Sequence, residues 1–448
     1  MNLKGLLAPI IGLSLVLTPM ATANVSAAEK PTVETKASEL RSGLDNLLSE
    51  HYTLAIDTMV KTYDGDKGAK EAAKAFDQNA KDMEPAIADI YGEDGAKQFE
   101  AIFAPHNMAT DDYAQAVKDG DKQAQNKADK EVDKFVNDMA KFLDTATEGK
   151  LPEKAAKQAL REHENDVQQA FDAYVDKDYK KYNEDFLKGY EQIFGVSKAL
   201  STAITTQKPE KFDNTKADTK AADLRSGLNM LISQHYALAV RSLNEGTKGS
   251  PDYDFVNWAQ DQNTEGLKTA IGSVYGNDAS KQFGDVWNKN HIAAQADLAS
   301  ATAADNKNGE DKAKMRLTKD FADEFSTFLS TATDNKLPKQ AAYEGIMQHE
   351  KLVTMAFEQG NQGNYAASYK TWREGFAQTF DIGKALSNAI VMQHPDKFMD
   401  NAPTKMPNTG MGGAENNTSM ITTIWVALTA LILAIAGFIT FRQVKSNK

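Results

Sequence analysis

Two long stretches of this 448-residue chain repeat each other, and that duplication limits what it can fold into. Glu39 to Ile56 reads ELRSGLDNLLSEHYTLAI and Asp223 to Val240 reads DLRSGLNMLISQHYALAV, identical at 11 of 18 positions. Asp77-Gln78-Asn79 then matches Asp261-Gln262-Asn263, Tyr91-Gly92 matches Tyr275-Gly276, and Lys97-Gln98-Phe99 matches Lys281-Gln282-Phe283. Leu151-Pro152 pairs with Leu337-Pro338, and His163-Glu164 with His349-Glu350. The offset drifts only from 184 to 186 residues. Each copy is therefore the size of a domain, not a short solenoid unit.

Within each copy the apolar residues follow a helical period. Leu40, Leu44, Leu47, Leu48, His51, Leu54 and Ala55 recur at three-four spacing, as do Phe99, Ile102, Phe103 and His106, and Leu160, His163, Val167, Phe171 and Tyr174. Asp64-Gly65, Gly92, Asp119-Gly120, Gly149 with Leu151-Pro152, and Lys177-Asp178 punctuate the copy into about six helices, with Pro85 expected to kink or divide the second. No two-residue alternation bounded by hairpin turns is sustained, so no sheet is expected. The expected class is all-α: two tandem antiparallel helical-bundle domains, residues 37–204 and 221–398, joined by a linker at 205–220, with one C-terminal transmembrane helix.

The two ends predict export. Lys4, the apolar stretch Gly5 to Leu17 and the small-residue site Val25-Ser26-Ala27 make residues 1–27 a signal peptide. After a spacer at 399–405, residues 406–410 read Met406-Pro407-Asn408-Thr409-Gly410. The apolar run 421–441 follows, then the tail 442–448 with Arg442, Lys445 and Lys448. Twenty-one residues at helical rise cover roughly 31 Å, enough for a bilayer core, and the basic tail favours the cytoplasmic side. The pentapeptide resembles the LPxTG signal of sortase-anchored Gram-positive surface proteins, with Met406 in place of Leu. The resemblance implies that a sortase transpeptidase cuts between Thr409 and Gly410 and joins the Thr409 carboxyl to peptidoglycan, the membrane holding the chain until then. The expected location is the cell wall, at the cell surface.

Between signal and cleavage point the chain carries 47 basic and 62 acidic residues, a net charge of −15. Such a balance excludes nucleic acid and anionic lipid as expected partners. Cysteine is absent, which removes disulfides, thiolate ligands and cysteine nucleophiles. Thr409 lies only eleven positions after Phe398, at most roughly 40 Å of extended chain, and no Pro, Ser or Thr stalk is present. A module lying close to the wall fits this better than a long-range adhesin.

Six of the seven histidines form three matched pairs: His51 with His235, His106 with His291, and His163 with His349. Each pair lies on a different expected helix, on its apolar stripe. Inward side chains from separate helices of a bundle can meet at one level, which is how bundle cores build metal sites. Three imidazoles suit zinc, copper or iron, and two could instead bind a haem axially. Asp77 and Asn79, repeated as Asp261 and Asn263, are candidates to support the shell. Glu164 and Glu350 directly follow a histidine, and neighbours on a helix diverge by about 100°, which weakens them as ligands of the same ion. The competing reading makes these histidines core residues hydrogen-bonded across the bundle.

No phosphate loop, zincin helix, diiron Glu-x-x-His pair or Gly-x-Ser-x-Gly elbow is found, so no enzyme is expected. From about residue 37 to 398 the repeats resemble an uncharacterised helical domain of secreted Gram-positive proteins that sometimes carry a copper amine oxidase label. That resemblance transfers no activity: no Asn-Tyr-Asp or Asn-Tyr-Glu is present, and Asn364-Tyr365 is followed by Ala366. The expected function is a non-enzymatic binding module with a histidine-centred metal or haem site in each repeat. The alternative is a structural or protein-interaction wall protein without a cofactor.

Overall fold

The computed structural model describes residues 30–400. The signal 1–27, the sorting pentapeptide, the apolar run 421–441 and the basic tail lie outside them. The described residues are helical throughout, with no strand among them. No helix among them is long and apolar enough to cross a membrane.

In the first copy the helices are α1 (Lys36–Asp64), α2 (Ala69–Asp119), α3 (Lys122–Ala146), α4 (Glu153–Val175) and α5 (Tyr179–Gln207). Thr35 starts α1, its hydroxyl accepting the Ser38 N–H at 3.0 Å, and Thr219 does the same in the second copy for Ala222 at 3.1 Å. The break in α2 is at Gly92, not at Pro85. With φ 79° and ψ 172°, Gly92 occupies a region essentially closed to residues with a Cβ, and this divides α2 into two helical pieces. Pro85 costs one backbone hydrogen bond and stays inside the first piece.

The second copy consists of α6 (Lys220–Lys248), α7 (Tyr253–Tyr275), α8 (Asn277–Val286), α9 (Ala293–Ala303), α10 (Lys307–Met315), α11 (Ala322–Ala332), α12 (Lys339–Asn361) and α13 (Tyr365–Gln393). It has more elements because two π-helical turns, Trp287–Ile292 and Arg316–Phe321, interrupt the counterparts of α2 and α3. Their positions explain the drifting offset. Phe103 and Trp287 are 184 apart but His106 and His291 are 185 apart; Ala128 and Ala313 are 185 apart but Phe135 and Phe321 are 186 apart. Each inserted residue is absorbed by one widened turn, which keeps the flanking apolar faces in register.

The segment read as a linker is packed. Helix α5 continues to Gln207, a short 3-10 turn covers Pro209–Phe212, and Phe212 and Ala217 are buried with Ala37 and Ile204. The two copies share one apolar core that includes Tyr52, Phe171 and Tyr190 from the first and Tyr236, Phe357 and Phe376 from the second.

Contacts between the copies are self-complementary, as across a two-fold axis. Helix α1 packs on α6, α5 on α7, and α2 on α13. Arg41 donates to Asp223 at 2.6 Å and to the Ala217 carbonyl at 3.0 Å, while Arg225 reaches Glu39 at 3.0 Å and the Val33 carbonyl at 2.9 Å. Lys198 and Lys384 complete the two clusters, each 2.7 Å from its carboxylate.

The pair of Glu50 and Arg373 is among the contacts that break this symmetry. Glu50, almost fully buried on α1, receives Arg373 of α13 through two bonds of 2.7 and 2.9 Å and Asn79 at 2.7 Å. The corresponding positions across the axis hold Gln234 and Leu187. Arg373→Ala leaves a carboxylate buried without its cation and is expected to cost about 3 kcal/mol in urea unfolding. The double change Glu50→Gln with Arg373→Leu restores the uncharged counterpart and is expected to fall within about 1 kcal/mol of wild type.

Candidate metal centre

Helix α1 carries His51, the second piece of α2 carries His106 and α4 carries His163, and each ring is at least 95 % buried. One nitrogen from each ring lies within 4.8 Å of the other two, a set that could hold a metal ion. Aromatic rings confine the imidazoles on the remaining sides. His106 stacks on Phe135 with centroids 4.0 Å apart, and His51 lies 4.7 Å from Phe76 and 4.9 Å from Phe103.

Burial keeps these histidines neutral. It pushes His106 down to about 3 and His163 down to about 4, and it holds His51 well below the ordinary range, with His106 and His163 adding to the effect at His51. At neutral pH each ring therefore has a lone pair free to bind a cation. The Nδ1 atom of each of the three is buried without a hydrogen-bond partner, which is uncommon for polar atoms in a core.

The supporting residues expected from the sequence separate into two groups. Asn79 is fully buried beside His51, its amide donating to the Leu47 carbonyl at 3.0 Å and to Glu50, with its own oxygen unpartnered. Asn263 bridges the Leu231 carbonyl and Gln234 in the same way, both at 2.9 Å. Asp77 and Asp261 are exposed and take no part. They lie two positions from those asparagines, about 200° around the helix, so the outer face holds the acids while the inner face holds the amides.

Glu164, set aside in the sequence because it adjoins His163, reaches a histidine on another helix. Its Oε1 lies 3.6 Å from His106 Nε2, and burial pushes its carboxyl up to about 8. The 100° divergence argument excludes sharing with the neighbouring residue but does not exclude a partner across the bundle.

The second copy places His235 (α6), His291 (the first π turn) and His349 (α12) at corresponding positions but arranges them differently. His235 and His291 are hydrogen-bonded through their Nε2 atoms at 2.9 Å, and Gln295 adds a contact to His291 Nε2 at 3.2 Å. Glu350 lies 3.2 Å from His291 Nδ1. His291 keeps the stack of its counterpart, 4.5 Å from Phe321. Where the first copy has Phe76 and Thr110, the second has Gln260 and Gln295, whose side chains meet at 3.4 Å. The second site thus joins two of its imidazoles by a hydrogen bond that the first lacks, while the Nδ1 atoms of His235, His291 and His349 are buried without a partner as in the first.

The remaining candidates, Met406, Pro407, Asn408, Thr409 and Gly410, lie outside the described residues. No protein-family model matches this chain, and no curated protein or solved structure matches it at a significant level.

Proposed function

We propose that the chain is a wall-anchored, non-enzymatic module that holds a divalent transition-metal ion in its first copy through His51, His106 and His163. The observation that carries this reading is the approach of three buried imidazole nitrogens to within 4.8 Å of one another from three helices. Three neutral imidazoles leave a coordination position for water or a small ligand, a donor set suited to zinc, copper or iron. Close packing of Phe135, Phe76 and Phe103 against the rings favours a bare ion over haem, because a porphyrin would have to displace them. For the second copy, the His235–His291 hydrogen bond favours the other reading, a structural core without a cofactor.

Anchoring to peptidoglycan by a sortase is the companion proposal, supported by the order of pentapeptide, apolar run and basic tail. Protein released from purified sacculi by a muralytic enzyme is expected to end at Thr409; retention of residues 421–441 would count against it.

The ion is tested by elemental analysis of purified residues 28–405 after zinc loading and desalting. One equivalent is expected, lost in His51→Ala and kept in His235→Ala. A metal-free wild type would overturn the reading, and two equivalents would overturn its restriction to the first copy.

A further inference from the structure

In both copies a buried glutamate directly follows the histidine of the fourth helix and approaches the histidine of the second. Glu164 lies behind His106 and Glu350 behind His291. Both carboxylates are more than 90 % buried, and each has an Oε1 without a hydrogen-bond partner. An acid kept in a core without a partner is destabilising, and here it recurs at the same position of both repeats. No arginine or lysine accounts for Glu164 by an ion pair; its one such contact among the described residues is His106.

The two contacts differ in length, and neither is a hydrogen bond. Glu350 is 3.2 Å from one nitrogen of His291, whose other nitrogen faces His235. Glu164 is 3.6 Å from Nε2 of His106, beyond a hydrogen bond, and Nδ1 of that ring is buried and unpartnered. Glu164 also lies outside the set of mutually close ligand atoms, so it does not join the three histidines around one centre. What an oxygen of its carboxyl group can do, ionised or not, is accept the Nε2–H of His106. Carboxylates placed behind a ligating histidine in this way fix its tautomer and orientation and raise its basicity.

We propose that Glu164 is a positioning residue that holds His106 as the Nε2–H tautomer, so that His106 presents Nδ1 to the ion. This inference rests on the ion reading above. A small rotation of the His106 ring on its Phe135 stack, as its other nitrogen is drawn to the ion, closes the gap to Glu164. Glu350 lies on the other nitrogen of its histidine, Nδ1 of His291, and there Nε2 is taken by His235.

The test uses the exported chain with ¹⁵N-labelled histidine, loaded with zinc. The ¹⁵N shifts of His106 are expected to show Nδ1 bound to zinc and Nε2 protonated; a His106 bound through Nε2 overturns the proposal. Zinc that perturbs none of His51, His106 and His163 overturns the ion reading itself, and this inference with it. As a second measurement, Glu164→Leu is expected to lower zinc affinity about 10- to 100-fold while leaving the melting temperature of the metal-free protein unchanged or raised. Equal affinity in that variant overturns the proposal, and the wild-type spectrum decides the matter if the variant does not fold. Glu350→Leu, in the copy not assigned an ion, is expected to leave zinc affinity at wild type; a matching loss there would show a general effect of packing and overturn the assignment.

Discussion

Metal-free protein is expected to lose stability steeply as the pH falls below about 6.5, with unfolding complete before pH 4. Burial holds His106 near 3 and His163 and His349 near 4, and it also lowers His51 and His235. An unfolded histidine titrates near 6.5. Between these values the unfolded chain binds protons that the folded chain refuses, so stability is fully present above about 6.5 and is lost as the pH drops. Each such histidine contributes about 1.4 kcal/mol per pH unit, and the five together about 7 kcal/mol per unit, against a total stability of about 5–15 kcal/mol. Two buried acids act in the opposite sense. Burial raises Glu164 to about 8 and Asp45 to about 6, so each favours the folded state as the pH falls toward its unfolded value. They are outnumbered below 6.5, but above it Glu164 is the group that matters, and stability should decline slowly from pH 6.5 toward 8. Urea midpoints measured in a chelating buffer from pH 8 to 4 check this: a maximum near 6.5 is expected, and a flat profile between 6.5 and 5 would contradict it.

The same histidines show how far the sequence carries. That they face inward from three helices was legible, because His51, His106 and His163 continue the three-four rows of Leu44-Leu47-Leu48, Phe99-Phe103 and Leu160-Val167. That three rows meet at one level was not, since it depends on how far each helix slides along its neighbour. The one-residue gap between the His106 and His291 neighbourhoods was visible as an insertion. Its consequence was not: a single extra residue can loop out, shift a whole face, or widen one turn. Here it widens the turn that contains His291 itself. Period alone also concealed the union of the copies. Arg41 and Arg225 sit on α1 and α6 among apolar neighbours, and only the fold shows that each spans to the acid at the start of the other copy's first helix. The stretch 205–220 has the Lys, Thr and Asp content of a linker, yet two apolar residues, Phe212 and Ala217, are enough to hold it against α1.

Zinc is expected to raise the melting temperature of wild type by about 5 °C at a free concentration 1,000 times the dissociation constant. Ligand that binds only the folded state adds RT ln(1 + [L]/Kd), about 4.1 kcal/mol at that excess. For a folded body of this size the entropy of unfolding is about 0.8 kcal/mol per degree, which converts that energy into the stated shift. Because all three rings are at least 95 % buried, the ion must enter through a transient opening, so the protein should be equilibrated warm before the scan. Two substitutions separate the site from the core that contains it. His51→Ala removes a ligand and opens a cavity beside Phe76 and Phe103, so its metal-free melting temperature drops and the zinc shift vanishes. His235→Ala breaks the 2.9 Å bond to His291 and likewise lowers the metal-free value, yet it should keep the full zinc shift, since the first copy is untouched. Equal loss of the shift in both variants would mean that the ion's effect is not local to the first copy. No shift in wild type would leave the three histidines as core residues, carrying an unsatisfied Nδ1 each at a cost of about 1–3 kcal/mol apiece.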